Sequence, residues 1–127
     1  MRFRLLVPVL ACAVAVSLST PAFADGDAEK GQRVYTSKCK VCHELKAGAK
    51  KIGPSFHGLF GRKAGTVADF KYSDAMAKAG VVWDEKTVAE YMKKPKDFIP
   101  GNKMVFDGLP KEDDRENLIK YLKEATK

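Results

Sequence analysis

Cys39-Lys40-Val41-Cys42-His43 packs three reactive side chains into five positions, and His43 is one of only two histidines in the 127-residue chain. As a disulfide, two thiols three positions apart would close a very small loop and add little stability. The spacing has three other uses. Cys-x-x-Cys-His is the attachment pattern of c-type haem. There the thiols reach two vinyl groups of one porphyrin, and the residue that follows stands below the ring with its imidazole aimed at the iron. A thioredoxin-like dithiol would want a strand before it and a long helix starting at the first cysteine. Here a helical pattern runs into Cys39 and a glycine-rich loop follows His43. A structural zinc site needs about four ligands. Cys39, Cys42, His43 and His57 would have to meet across chain poorly suited to a tight knuckle. The flanks favour haem attachment.

Upstream of the pentapeptide, Asp27 to Lys38 places Ala28, Gly31, Val34 and Tyr35 on one helix face. Gly31 on that face leaves room for another element to cross closely. Downstream, Glu44 to Gly65 contains Gly48, Gly53, Pro54, Gly58, Gly61 and Gly65 interleaved with Phe56, Leu59 and Phe60. That glycine density excludes a long helix, and a loop this long in a compact domain wraps something. Tyr72 to Ala79 reads as a short helix stopped by Gly80. Asp84 caps a helix with Val88, Tyr91 and Met92 inward, ended by Pro95. Pro100 to Pro110 reads as loop. Glu112 to Ala125 carries Leu118, Ile119, Tyr121, Leu122 and Ala125 at helical spacing. Its acids cluster at the start and its lysines at the end, which suits the helix dipole. No alternating strand is evident, so the expected fold is all-α.

The first 24 residues read as a separate unit. Arg2 and Arg4 precede an apolar run from Leu5 to Leu18, and Pro21 precedes the small-x-small site Ala22-Phe23-Ala24. These are the parts of a secretory signal peptide, cleaved after Ala24. The apolar run falls short of the roughly 18–20 residues that span a bilayer. A lipoprotein leader ending at Cys12 would have only eleven residues before it. Residues 25–127 then form the mature domain. Loss of the leader removes two arginines and no acid, lowering the formal charge from +7 to +5. It also removes Cys12, so Cys39 and Cys42 alone remain.

A second iron ligand would decide the chemistry, since an open iron invites small ligands and a closed one transfers electrons. Met76, Met92, Met104 and His57 are the candidates. Met92 sits at core spacing on a helix, and His57 in the glycine-rich wall. Met104 lies in the proline-stiffened run Ile99-Pro100-Gly101-Asn102-Lys103-Met104-Val105-Phe106. Spacing alone favours it only modestly.

The chain resembles the class I cytochromes c, the family of mitochondrial cytochrome c and bacterial cytochrome c2. The resemblance runs over nearly all of 25–127. It is carried by Gly26-Asp27 with Lys30-Gly31, Cys39 to His43, Gly53-Pro54, His57-Gly58-Leu59-Phe60-Gly61-Arg62, Tyr72, Trp83, Tyr91, Pro100-Gly101-x-Lys103-Met104 and Leu118 to Lys123. It implies a cytochrome c fold, with three main helices, short helices and long loops around one covalent haem c. It implies thioethers at Cys39 and Cys42, with His43 and Met104 as axial ligands. Pro54 would accept the second imidazole N–H of His43, and Tyr91 would hydrogen-bond near the Met104 sulfur. Arg62, Tyr72 and Trp83 would satisfy the propionates. Gly31 and Tyr35 would cross Leu118 and Tyr121.

The same resemblance implies a soluble, monomeric, single-electron carrier of the periplasm, not an enzyme. A cytochrome bc-type complex would be its donor, and a terminal oxidase or photosynthetic reaction centre its acceptor. Lys38, Lys40, Lys93, Lys94, Lys96 and Lys103 flank the ligand segments and would steer acidic partners to the haem edge. Nucleic acid is not expected, because basic residues alternate with acids and export removes the target. The rival reading is a haem enzyme or gas sensor with an open iron. Three departures stand out. Met76 replaces the asparagine of mitochondrial members, Asn102 replaces their threonine, and the loop after His43 is one residue shorter. If Tyr72 and Met76 share a helix face, Met76 is expected to lie buried on the haem side.

Overall fold

The computed structural model describes residues 26–127. The leader expected at 1–24 lies outside the described residues. Five α-helices follow in chain order: α1 (Ala28–Val34), α2 (Asp74–Lys78), α3 (Glu85–Lys93), α4 (Pro95–Phe98) and α5 (Glu112–Ala125). A π-helical turn, Tyr35–Cys39, continues α1 without a break. Among the described residues there is no strand, only an isolated antiparallel bridge between Lys63 and Val82. The all-α expectation holds. No described helix is long and apolar enough to cross a membrane.

Asp27 starts α1, its carboxylate accepting the Lys30 N–H at 3.0 Å, and that bond holds its pKa below the usual carboxylate range. The Asp27 N–H donates to the Asn117 side chain at 2.8 Å, tying the start of α1 to α5. Gly31 is buried at the crossing, where a Cβ would collide with the Asn117 carbonyl and come within 2.7 Å of Tyr121 Cβ. Tyr35 and Tyr121 meet one turn further on, ring centroids 5.7 Å apart. The crossing expected from Gly31 and Tyr35 is therefore present. Leu118 and Ile119 of α5 are fully enclosed.

Two boundaries differ from the sequence reading. The short helix begins at Asp74 and not at Tyr72. Ser73 takes the N-cap position and accepts the Met76 N–H at 3.1 Å, which leaves Tyr72 outside the helix. Pro95 does end the preceding element, but it also opens α4. A proline at a first helical position has no N–H to lose and a φ already suited to the helix. Asp84 caps α3 as expected, in a reciprocal box with Thr87. Backbone bonds pin the loops to this frame. Ala64 N–H donates to Val81 O at 2.7 Å, Trp83 N–H to Arg62 O at 2.9 Å, and Gly58 N–H to Thr126 O at 2.6 Å. Leu109 N–H reaches Met92 O at 2.7 Å, anchoring the chain after Met104 to the end of α3.

Candidate cofactor site

The π turn shapes the site. Lys40 N–H donates to Tyr35 O at 2.9 Å, one residue further back than an α-helix would reach. Single π turns set into helices recur at functional sites. The chain then folds back, with Cys42 N–H and His43 N–H both donating to Cys39 O at 3.0 and 2.9 Å. In consequence Cys39, Cys42 and His43 line one cavity of about 480 Å³. That volume lies within the ~300–1,000 Å³ of ordinary ligand and cofactor pockets. Apolar side chains make up most of the wall, among them Phe56, Leu59, Leu118 and Leu122.

His43 is buried and held at three points. Its Nδ1–H donates to Pro54 O at 2.8 Å. A carbonyl cannot donate, so this bond fixes the tautomer and leaves Nε2 with a lone pair. The ring stacks on Phe56, centroids 4.3 Å apart and planes 19° from parallel. The backbone of Gly53 presses against it so closely that a Cβ there would collide with the imidazole. Tyr35 Oη also donates to His43 O at 2.9 Å. Burial lowers the His43 pKa below its usual value. The Pro54 bond opposes that shift, and the charges of Arg62 and Lys51 add to it. The imidazole is thus kept neutral, as a metal ligand must be.

Both thiols are free, and burial pushes the Cys39 thiol up to about 12. A reactive dithiol needs its first cysteine exposed and easily ionised, so the thioredoxin-like reading finds no support. Nor does zinc, since no group of three or more potential ligands gathers among the described residues. His57 is exposed and does not line the cavity.

Met104 lines the same cavity, with the Tyr91 hydroxyl 3.8 Å from its sulfur. Burial pushes the Tyr91 phenol up to about 12, so it stays protonated and able to donate. Trp83 packs against Tyr91, centroids 5.1 Å apart. Arg62 Nη1 donates to Ser55 O and His57 O at 3.0 and 2.9 Å. Tyr72 Oη accepts the Val67 N–H at 3.1 Å, which uses a lone pair and not its proton. All nine residues that the resemblance assigns to the haem site line this one cavity. Met76 and Met92 line it too, both half-buried. Met76 does so without sharing a helix with Tyr72, because Ser73 starts that helix between them.

Of the lysines, Lys38 and Lys103 line the cavity wall. Lys103 Nζ donates to Lys71 O and stands 5.0 Å from the Phe70 ring centroid. Lys96 Nζ donates to Asn102 O at 2.7 Å. These two ammonium groups hold loops as well as carrying charge. Sequence reasoning missed the Phe56 stack and the role of Gly53 against the ring. Its only available signal was their closeness to Pro54.

A haem c asks for two thiols close together, a neutral imidazole, an apolar slot, and polar donors for its acidic groups. The residues present fit that request. The Cytochrome c family model matches residues 28–126. Cytochrome c of Cochliobolus lunatus is 50% identical over 106 residues, which cover 83% of this chain and 98% of that protein. Cytochrome c of Arabidopsis thaliana is 52% identical over 103 residues, covering 80% and 92%. Cytochrome c 2.1 of Caenorhabditis elegans is 52% identical over 97 residues, covering 76% and 87%.

Proposed function

The chain belongs to the cytochrome c family, and from that premise we propose that it is a periplasmic one-electron carrier whose haem iron is held by His43 and Met104. The family's cofactor is haem c, covalently attached, and its work is haem-based electron transfer. In this reading Cys39 and Cys42 form the two thioethers. Each thiol would hold the group by adding across one vinyl, its sulfur to one carbon and its hydrogen to the other. His43 offers its Nε2 lone pair while Pro54 holds Nδ1–H and so keeps the ring oriented. Met104 offers its sulfur. Bound in the cavity, the haem supplies a one-electron couple. A thioether ligand favours the reduced state and raises the potential relative to a second imidazole. The apolar wall acts in the same direction by excluding water. Arg62, Tyr72 and Trp83 carry the donors that buried propionates require.

One observation carries this reading: the His43 imidazole, two free thiols and the Met104 thioether all converge on one apolar cavity. A closed iron suits a carrier and denies a substrate its coordination place. Acidic redox proteins are the proposed partners, meeting the haem edge near Lys38, Lys40, Lys96 and Lys103. A cytochrome bc-type complex would donate, and a terminal oxidase or photosynthetic reaction centre would accept. Residues 1–24 are proposed as a cleaved export signal. The family match begins only at residue 28, beyond them. The mass of the exported protein and the salt dependence of its encounter rates test these two parts.

The test of ligation is carbon monoxide binding to the ferrous protein. Wild type is expected to resist it. Met104→Ala should keep the haem through Cys39 and Cys42 yet bind the gas readily. Equal binding by both would remove Met104 as the ligand and favour an open-iron enzyme or sensor.

A further inference from the structure

Asn102 is 4% exposed and sits in the loop between α4 and Met104. A buried amide has two N–H donors and a carbonyl acceptor to satisfy. Here Nδ2 donates to Pro95 O at 2.9 Å and Ile99 O at 2.8 Å, while Oδ1 accepts the Met104 N–H at 3.0 Å. The orientation of the amide follows from these partners, because two carbonyls cannot donate and a backbone N–H cannot accept. Its main chain is engaged as well. Asn102 N–H reaches Ile99 O at 3.2 Å, and Asn102 O accepts from Lys96 Nζ. Pro95, which opens α4, is itself fully buried. One side chain therefore joins a helical turn anchored by a buried proline to the backbone of Met104.

We propose that Asn102 is the positioning residue for Met104, and that its amide sets how often the thioether leaves the iron. The inference rests on the reading of Met104 as an axial ligand. Tyr91 touches the sulfur only at 3.8 Å, and Lys103 grips the neighbouring segment through its own side chain. Asn102 alone of these three holds the Met104 main chain. A merely structural asparagine would support the fold as a whole and leave the iron coordination unchanged.

Cyanide binding to the ferric holoprotein distinguishes the two, because cyanide must wait for the sulfur to leave. Asn102→Ala should raise its binding rate by about tenfold or more, the factor expected from losing roughly one net hydrogen bond. It should also weaken the methionine–iron charge-transfer absorption. Asn102→Ser keeps a hydroxyl able to accept the Met104 N–H and should fall between. Thr126→Val removes a buried bond elsewhere, Thr126 Oγ1 to Leu122 O at 2.7 Å. It should lower stability without changing the cyanide rate. If Asn102→Ala and Thr126→Val accelerate cyanide alike for a given loss of stability, the proposal falls. Should the alanine variant fail to fold, Asn102→Ser at the wild-type rate and absorption overturns it equally. Met104→Ala separates the premises. A fast rate there, with Asn102 variants unchanged, overturns this inference alone. A wild-type rate there overturns the ligation reading and this inference with it.

Discussion

The chain around His43 and the chain around Met104 each deliver one side chain to the same cavity, but they hold it by different means. His43 is gripped by its near neighbours in sequence: Pro54 on Nδ1, Phe56 on the ring, Gly53 against the ring, Tyr35 on the carbonyl. Three of those grips leave the ring no alternative position. Met104 is held through side chains reaching from α3 and from the loop itself, and the direct contact to its sulfur is long and weak. The His43 ring is clamped by packing on top of its hydrogen bond, whereas Met104 packs only partly against the core and relies more on a few hydrogen bonds. A ligand held by packing moves only if the fold moves. A ligand hung on hydrogen bonds can leave while the rest of the domain stays intact.

Two substitutions probe that contrast. Gly53→Ala should do the most damage, since its Cβ has no space beside the imidazole and neither backbone nor stacked ring can retreat. A loss of roughly 3 kcal/mol, the upper end for overpacking, is expected in denaturant unfolding of the holoprotein. Unchanged stability would show that the His43 side is less tightly clamped than its geometry says. Tyr91→Phe should do far less. It removes one hydroxyl 3.8 Å from a sulfur that accepts weakly, and under about 1 kcal/mol is expected from the same measurement. A loss as large as that of Gly53→Ala would erase the contrast and place the Met104 side under equal constraint.

The two sides also differ in how readable they were. The pentapeptide declared the His43 side because its chemistry lies within five consecutive residues. Glycines 53 and 58 and Pro54 marked the wrapping loop by composition alone. α5 was legible to its last residue, since acids, apolar spacing and lysines all agree along it. The Met104 side was favoured only modestly by spacing, and family resemblance supplied the rest. The Asn102 amide answers carbonyls at Pro95 and Ile99, and no periodic pattern announces a side chain that bonds to backbone. α4 was hidden because a proline signals both the end of one helix and the start of the next. The π turn was hidden because a reading at 3.6 residues per turn cannot register a single extra residue.

That turn bears on how the protein can change over generations. Thr36 and Ser37 face solvent and do not line the cavity, so their identities are loosely constrained. Their number is not. Adding one more would rotate everything after it by about 100° relative to α1. Cys39 would then swing away from the cavity while Gly31, upstream, stayed docked on α5. Point replacements at Thr36 and Ser37 should accumulate freely in descendants of this sequence, whereas insertions should be absent there and gather instead in the exposed stretch around Lys46 to Lys51. The spacing between the helix crossing and the first thiol cannot lengthen, even where the letters that fill it are free.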